Sequence, residues 1–138
     1  MRAAIAAAGL LLALQAPATL ACDYCVEDKI AAAYDHAAVA RALGRKHHVS
    51  FFHIDGTLAP NESTWRALEA IAESSEGVDK GSARVSVESA SLAVAFDPRR
   101  TSFVAVQKAL ERKLAAKKVT LLPLRVMDRP AEMKIVNP

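Results

Sequence analysis

A chain of 138 residues with 18 Lys and Arg against 15 Asp and Glu, and only 5% aromatic residues, allows one domain of ordinary size and gives no basic stripe for nucleic acid. Like charges run no further than pairs such as Arg45-Lys46, Arg99-Arg100 and Lys117-Lys118, which read as solvated faces. The only two cysteines lie three residues apart, which excludes a framework of long-range disulfides, so the core must hold itself together.

The chain opens as a secretory signal does. Arg2 supplies the charge, Ala3 to Leu14 the apolar stretch, and Ala16-Pro17-Ala18 or Thr19-Leu20-Ala21 the small-residue cleavage site. The stretch is too short to span a bilayer, and nothing after residue 21 could do so as a helix. Residues 1–21 are therefore expected to be a signal peptide, and the mature protein periplasmic or secreted. Cleavage after Ala21 would leave Cys22 first, where a lipid could be attached, but Thr19 stands where a lipobox usually has Leu.

From Asp23 to Leu43, Val26, Ile30, Tyr34, Ala37 and Ala40 recur at helical spacing with no Pro or Gly before Gly44. Asp23, Glu27 and Asp28 stand at one end and Arg41, Arg45 and Lys46 at the other, as the helix dipole favours. One N-terminal helix is expected within residues 22–46. Val49 to Ile54 is aromatic and β-branched and ends at Asp55-Gly56, a strand followed by a turn. Trp65, Leu68, Ile71 and Ala72 then mark a helix over Thr64 to Ser74, capped by Asn61, Ser63 or Thr64.

Arg84 to Glu88 and Ser91 to Phe96 form two alternating runs, an antiparallel pair. Thr101 or Ser102 can cap a helix carrying Phe103, Val106, Leu110 and Leu114. Val119 to Val126 reads as a last strand, which Pro123 confines to a sheet edge because it cannot donate a ladder hydrogen bond. Trp65, Phe96 and Phe103 read as core. Residues 129–138, with two prolines, read as a tail. The order over residues 47–128 is strand, helix, strand, strand, helix, strand, which predicts an α+β fold. It is a ferredoxin-like βαββαβ sandwich of a four-stranded antiparallel sheet and two helices, preceded by the extra helix.

Strand Val49 to Ile54 ending at Gly56, Gly77-Val78 before the second strand, and Ser91-Leu92-Ala93-Val94-Ala95-Phe96-Asp97-Pro98 followed by Thr101-Ser102-Phe103 together resemble the heavy-metal-associated (HMA) domain. The resemblance implies a soft-metal domain of the kind found in copper chaperones, metal-transporting ATPases and a periplasmic mercury-binding protein. The family places Gly-Met-x-Cys-x-x-Cys between the first strand and its helix. Here that segment is Gly56 to Ser63 and holds no Cys, His or Met, so no family ligand carries over.

Cys22-Asp23-Tyr24-Cys25 is the strongest local feature. Residues three apart at a helix start face the same way, and the helix N-terminus favours thiolate. Such a pair suits Cu(I), Hg(II) or, with added ligands, Zn(II), and Cu(I) is the ion expected first. The same spacing also suits a local disulfide or thiol–disulfide exchange, although no strand precedes Cys22 as in thioredoxin-like enzymes. His53, beside the family's loop, is the first histidine to add as a ligand. His36 lies eleven residues beyond Cys25, about 16 Å along a continuous helix, and is the second. His47 and His48 point to opposite sides, and Met127 and Met133 sit near the tail.

No nucleophile elbow, phosphate loop or paired carboxylates mark an enzyme. The expected function is an extracytoplasmic soft-metal binder or carrier using Cys22 and Cys25, with a membrane metal transporter or acceptor protein as partner. The alternative is an HMA-like interaction module without metal. Loss of residues 22–46 is expected to leave the sandwich folded.

Overall fold

The structure, a computed structural model, describes residues 20–130, with side chains from residue 26 onward. The expected signal peptide up to residue 19, the side chains of Cys22 and Cys25, and the tail beyond Pro130, with Met133, lie outside the described residues.

The N-terminal region forms two helices, α1 (Leu20–Ala33) and α2 (His36–Gly44). The expectation of one helix is corrected at Asp35, which adopts extended backbone and caps α2 by accepting from the Ala38 N–H at 3.1 Å. Its other oxygen accepts from Arg84 Nε at 2.7 Å. The Ala38 amide first, then Arg84, hold the Asp35 carboxyl below the usual carboxylate range.

The sandwich follows as β1 (His48–Asp55), α3 (Glu62–Glu73), β2 (Arg84–Ser86), β3 (Ser91–Phe96), α4 (Phe103–Leu114) and β4 (Thr120–Met127). Asn61 caps α3 and Ser102 caps α4, each accepting from the amide three residues on. The sheet order is β2-β3-β1-β4, with β1 antiparallel to both neighbours, so the expected ferredoxin-like topology is the one observed. β4 is an edge, as Pro123 requires. The ladder with β1 shifts there, Phe51 facing Arg125 and Phe52 facing Pro123, which leaves Leu124 as the extra residue of a bulge.

Alternation along β1 divides the molecule into three layers. Phe52 and Ile54 point to one face and join Leu68, Val94, Phe96, Val106, Leu110 and Leu114 under α3 and α4. Val49 and Phe51 point to the other and join Ile30, Ala33, Val39, Ala42, Ala93 and Ala95 under α1 and α2. Tyr34 stacks on Phe51 with ring centroids 6.5 Å apart. Residues 22–46 are thus not an appendage. They roof a second core, and removing them would bare the apolar cluster of Val49, Phe51, Ala93 and Ala95, contrary to the expectation that the sandwich survives without them.

Candidate metal centre

Helix α1 crosses the sheet diagonally. Ala33 sits beside Arg84 and Ala93 toward β2, whereas Glu27 pairs with Arg125 of β4. The Glu27 carboxyl is held below its usual range, chiefly by its hydrogen bond from Arg125. Cys22 and Cys25 occupy the first two turns, at the β4 end of this helix. Positions 22, 25 and 29 fall at i, i+3 and i+7, one face of α1, so Lys29 reports where that face leads. Its ammonium donates to the Ser89 carbonyl at 2.6 Å, in the turn joining β2 to β3.

The same turn holds His53. Successive side chains of β1 alternate, so His53 shares the face of Val49 and Phe51, the face that α1 roofs. It pairs with Ser91 on one side and Leu122 on the other. Its Nδ1 lies 3.0 Å from the Ala90 carbonyl. A carbonyl only accepts, so Nδ1 carries the proton of the neutral ring and Nε2 keeps its lone pair. Metal-binding histidines are oriented by the same arrangement. Ala90 holds this carbonyl in place at φ +49°, a left-handed conformation, and the carbonyl also accepts the Ile54 N–H at 2.7 Å.

The other histidines go elsewhere. His36 opens α2 rather than continuing the cysteine helix, so the 16 Å spacing along one axis does not apply. It is exposed beside Tyr34, Val39, Leu43 and Pro130, toward the Val49–Met127 end of the sheet and away from His53. His48 packs edge-on against Phe96 at 5.6 Å. His47 is clasped between two carboxylates, with Nδ1 2.6 Å from Asp79 and Nε2 3.6 Å from Asp97. Asp97 is itself held by the Arg99 guanidinium and backbone amide, which pull its pKa down to about 2. Met127 is half-buried against the second core.

Among the described residues, no three His, Cys, Asp or Glu side chains converge as a metal cage would require. The Gly56–Ser63 segment offers hydroxyls and one carboxylate but no soft donor. That segment therefore gives a soft ion no thiolate, thioether or imidazole to bind. Sequence reasoning missed Lys29 and the β2–β3 turn, because nothing local marks a backbone carbonyl as the orienter of a distant imidazole. Trp65 is corrected from core to cleft: it is 36% exposed and lines an opening between the start of α3 and β2.

Among the described residues no helix is long and apolar enough to cross a membrane. No family model matches the chain, and no curated protein matches it in sequence. Solved structures do match. Oxidized MerP from Ralstonia metallidurans CH34 is 18% identical, with the match covering 57% of this chain and 99% of that one at a TM-score of 0.45. A copper binding domain from HMA7, a P-type ATPase, is also 18% identical, with 57% and 96% covered and a TM-score of 0.45. The N-terminal domain of a potential copper-translocating P-type ATPase from Bacillus subtilis is 18% identical over 62% of this chain and 96% of that one, at a TM-score of 0.44. These likenesses are of fold alone.

Proposed function

We propose that the protein is an extracytoplasmic carrier of a soft metal ion, Cu(I) first and Hg(II) or Zn(II) as alternatives, gripped by the thiolates of Cys22 and Cys25. The observation that supports it most is the convergence on one turn. The α1 face bearing positions 22 and 25 leads through Lys29 to Ser89, and the adjoining Ala90 carbonyl fixes His53 in the tautomer that leaves Nε2 free. His53 is the third donor in this reading, and His36 takes no part. The ion is cargo, passed on to a membrane transporter or acceptor protein without chemical turnover. Because both thiols must be reduced and deprotonated, uptake weakens as pH falls and stops on oxidation.

The test is native mass spectrometry of the reduced chain beginning at Cys22, with Cu(I), Hg(II) and Zn(II) offered in turn. One ion retained by the wild type and lost from the Cys22→Ser, Cys25→Ser double variant supports the carrier. Failure to retain any ion would overturn it. That result would favour an interaction module with bridged cysteines, a reading supported by the absence of soft donors from Gly56 to Ser63.

A further inference from the structure

A second cleft lies on the opposite side of the sandwich from α1 and uses none of the residues assigned to metal. It encloses about 400 Å³ between the start of α3 and the β2 strand, with Pro60, Glu62 and Trp65 on one wall and Val85, Val87 and Glu88 on the other. That volume lies within the range of small-molecule sites. Its floor is apolar, since Val85 and Val87 back onto the main core. Its one large aromatic is the indole of Trp65, more than a third exposed in a protein that buries Phe51, Phe52 and Phe96 almost completely.

The charge of the cleft is one-sided. Glu62 and Glu88 stand at its rim, and among the described residues no Lys or Arg lines it, although the whole chain carries a formal charge of +3. Glu88 has no ion pair among the described residues. Among the described residues Glu62 is paired only with Arg66, and both are well exposed, so that contact is weak and exchangeable. Glu62, Trp65 and Glu69 recur at i, i+3 and i+7 on one face of α3, a pattern visible in the sequence. Burial pushes the Glu69 carboxyl above its usual range, with Arg84, the Val85 amide and Trp65 acting against that shift.

An exposed indole beside carboxylates over an apolar floor is complementary to one class of ligand. The geometry points to a binding site for a small organic cation, an ammonium or guanidinium on an aliphatic stem, with the stem on Val85 and Val87, the charge over the Trp65 ring and Glu88 as counter-ion. A free amine and a basic side chain of a peptide share this chemistry, and the test separates them.

Trp65 is the single tryptophan, so its fluorescence reports the cleft directly. The full chain, free of metal, is titrated with n-butylammonium and n-butylguanidinium chloride, with a capped Gly-Arg-Gly peptide, and with n-butanol and NaCl as controls. The expected result is a saturable change with the cations and none with the alcohol or salt. Affinity should fall about three- to thirtyfold in Glu88→Gln, and by a similar factor in Trp65→Leu followed by calorimetry, with thermal melts verifying that both variants fold. Response to the peptide alone would assign the cleft to a partner's basic side chain, and response to the free cations to a small amine. Equal response to n-butanol, no saturable response to any cation, or unchanged affinity in Glu88→Gln would each overturn the proposal. None of these outcomes bears on metal binding at α1.

Discussion

Lys29 and His53 hold neighbouring peptide groups of the same turn, Lys29 Nζ lying 2.6 Å from the Ser89 carbonyl and His53 Nδ1 3.0 Å from that of Ala90. The helix that carries both cysteines and the strand that carries His53 are thereby tied through one short stretch of backbone. Under the proposed carrier function, movement of α1 on taking up an ion would reach His53 through this turn.

The tautomer of His53 is the first consequence to check. In the neutral ring, Nδ1 should carry the proton and Nε2 should not, which long-range ¹H–¹⁵N correlation spectra read directly. Addition of a soft ion should then shift Nε2 selectively, and His53→Gln should weaken binding by at least about tenfold, the scale on which the surroundings of metal-binding histidines matter. Observation of the Nε2–H tautomer would remove His53 from the site.

The second core predicts that α1 and α2 are needed for folding. Phe51 is 1% exposed, stacked on Tyr34 and surrounded by Val49, Ala93, Ala95, Ile30 and Val39. Phe51→Ala should cost about 3–5 kcal/mol, as truncation of a buried aromatic does. Deletion of residues 22–46 should yield a protein that aggregates or melts far below the parent, because it leaves this face uncovered. A deletion variant that unfolds at the same denaturant midpoint as the parent would contradict the three-layer arrangement.

Much of this architecture is legible in the sequence, because each element carries its own signal. Asn61 and Ser102 cap where their residue types suggest, Ser91 to Phe96 forms the expected strand, and Pro123 sits on an edge. What escapes sequence reasoning is decided by distant partners. The apolar spacing of Val26, Ile30 and Tyr34 runs on into Ala37, yet the helix breaks because Asp35 bonds Arg84, 49 residues away. Trp65 lies on the same periodic face as Leu68 and Ala72, but it lines an open cleft beside the edge strand β2, so periodicity alone assigns it to a core that does not enclose it. In the candidate site, Cys22, Cys25 and His53 are recognisable as donor types. The turn that orients His53 is made of carbonyl groups and leaves no mark in the residue pattern.

Gly56, at the end of β1, is predicted to tolerate no side chain. Its φ is +145°, a conformation open in practice only to glycine, and a Cβ there would meet Val119 Cγ1 at 2.7 Å and the Lys118 carbonyl oxygen at 3.1 Å. Gly56→Ala should therefore destabilise the protein by roughly 1–3 kcal/mol from backbone strain alone, before any cost of displacing Val119. Gly44, where nothing lies within 4 Å of an added Cβ, is the control position. Gly44→Ala should be nearly neutral in the same urea titration, and equal losses at the two sites would refute the close approach of Gly56 to the start of β4.

Asp97 sets the acid limit of the clasp around His47. Its carboxyl accepts from the Arg99 guanidinium and from the Arg99 backbone amide, with the His47 ring beside it, and together these hold its pKa down at about 2. In the unfolded chain the same group titrates near the ordinary aspartate value of about 3.9. A carboxyl whose folded pKa lies below its unfolded one contributes stability that is fully present above about pH 4 and is lost as pH falls through about 2, because the unfolded state takes up the proton first. Urea midpoints measured across that interval should fall more steeply for the wild type than for Asp97→Asn, which should be less stable at neutral pH and lack this part of the acid slope. Glu27, Asp35 and Asp128 are also held low by their partners, so some acid sensitivity remains in the variant, and the difference between the two profiles isolates Asp97. Parallel profiles would mean that the Arg99 and His47 contacts do not persist in solution.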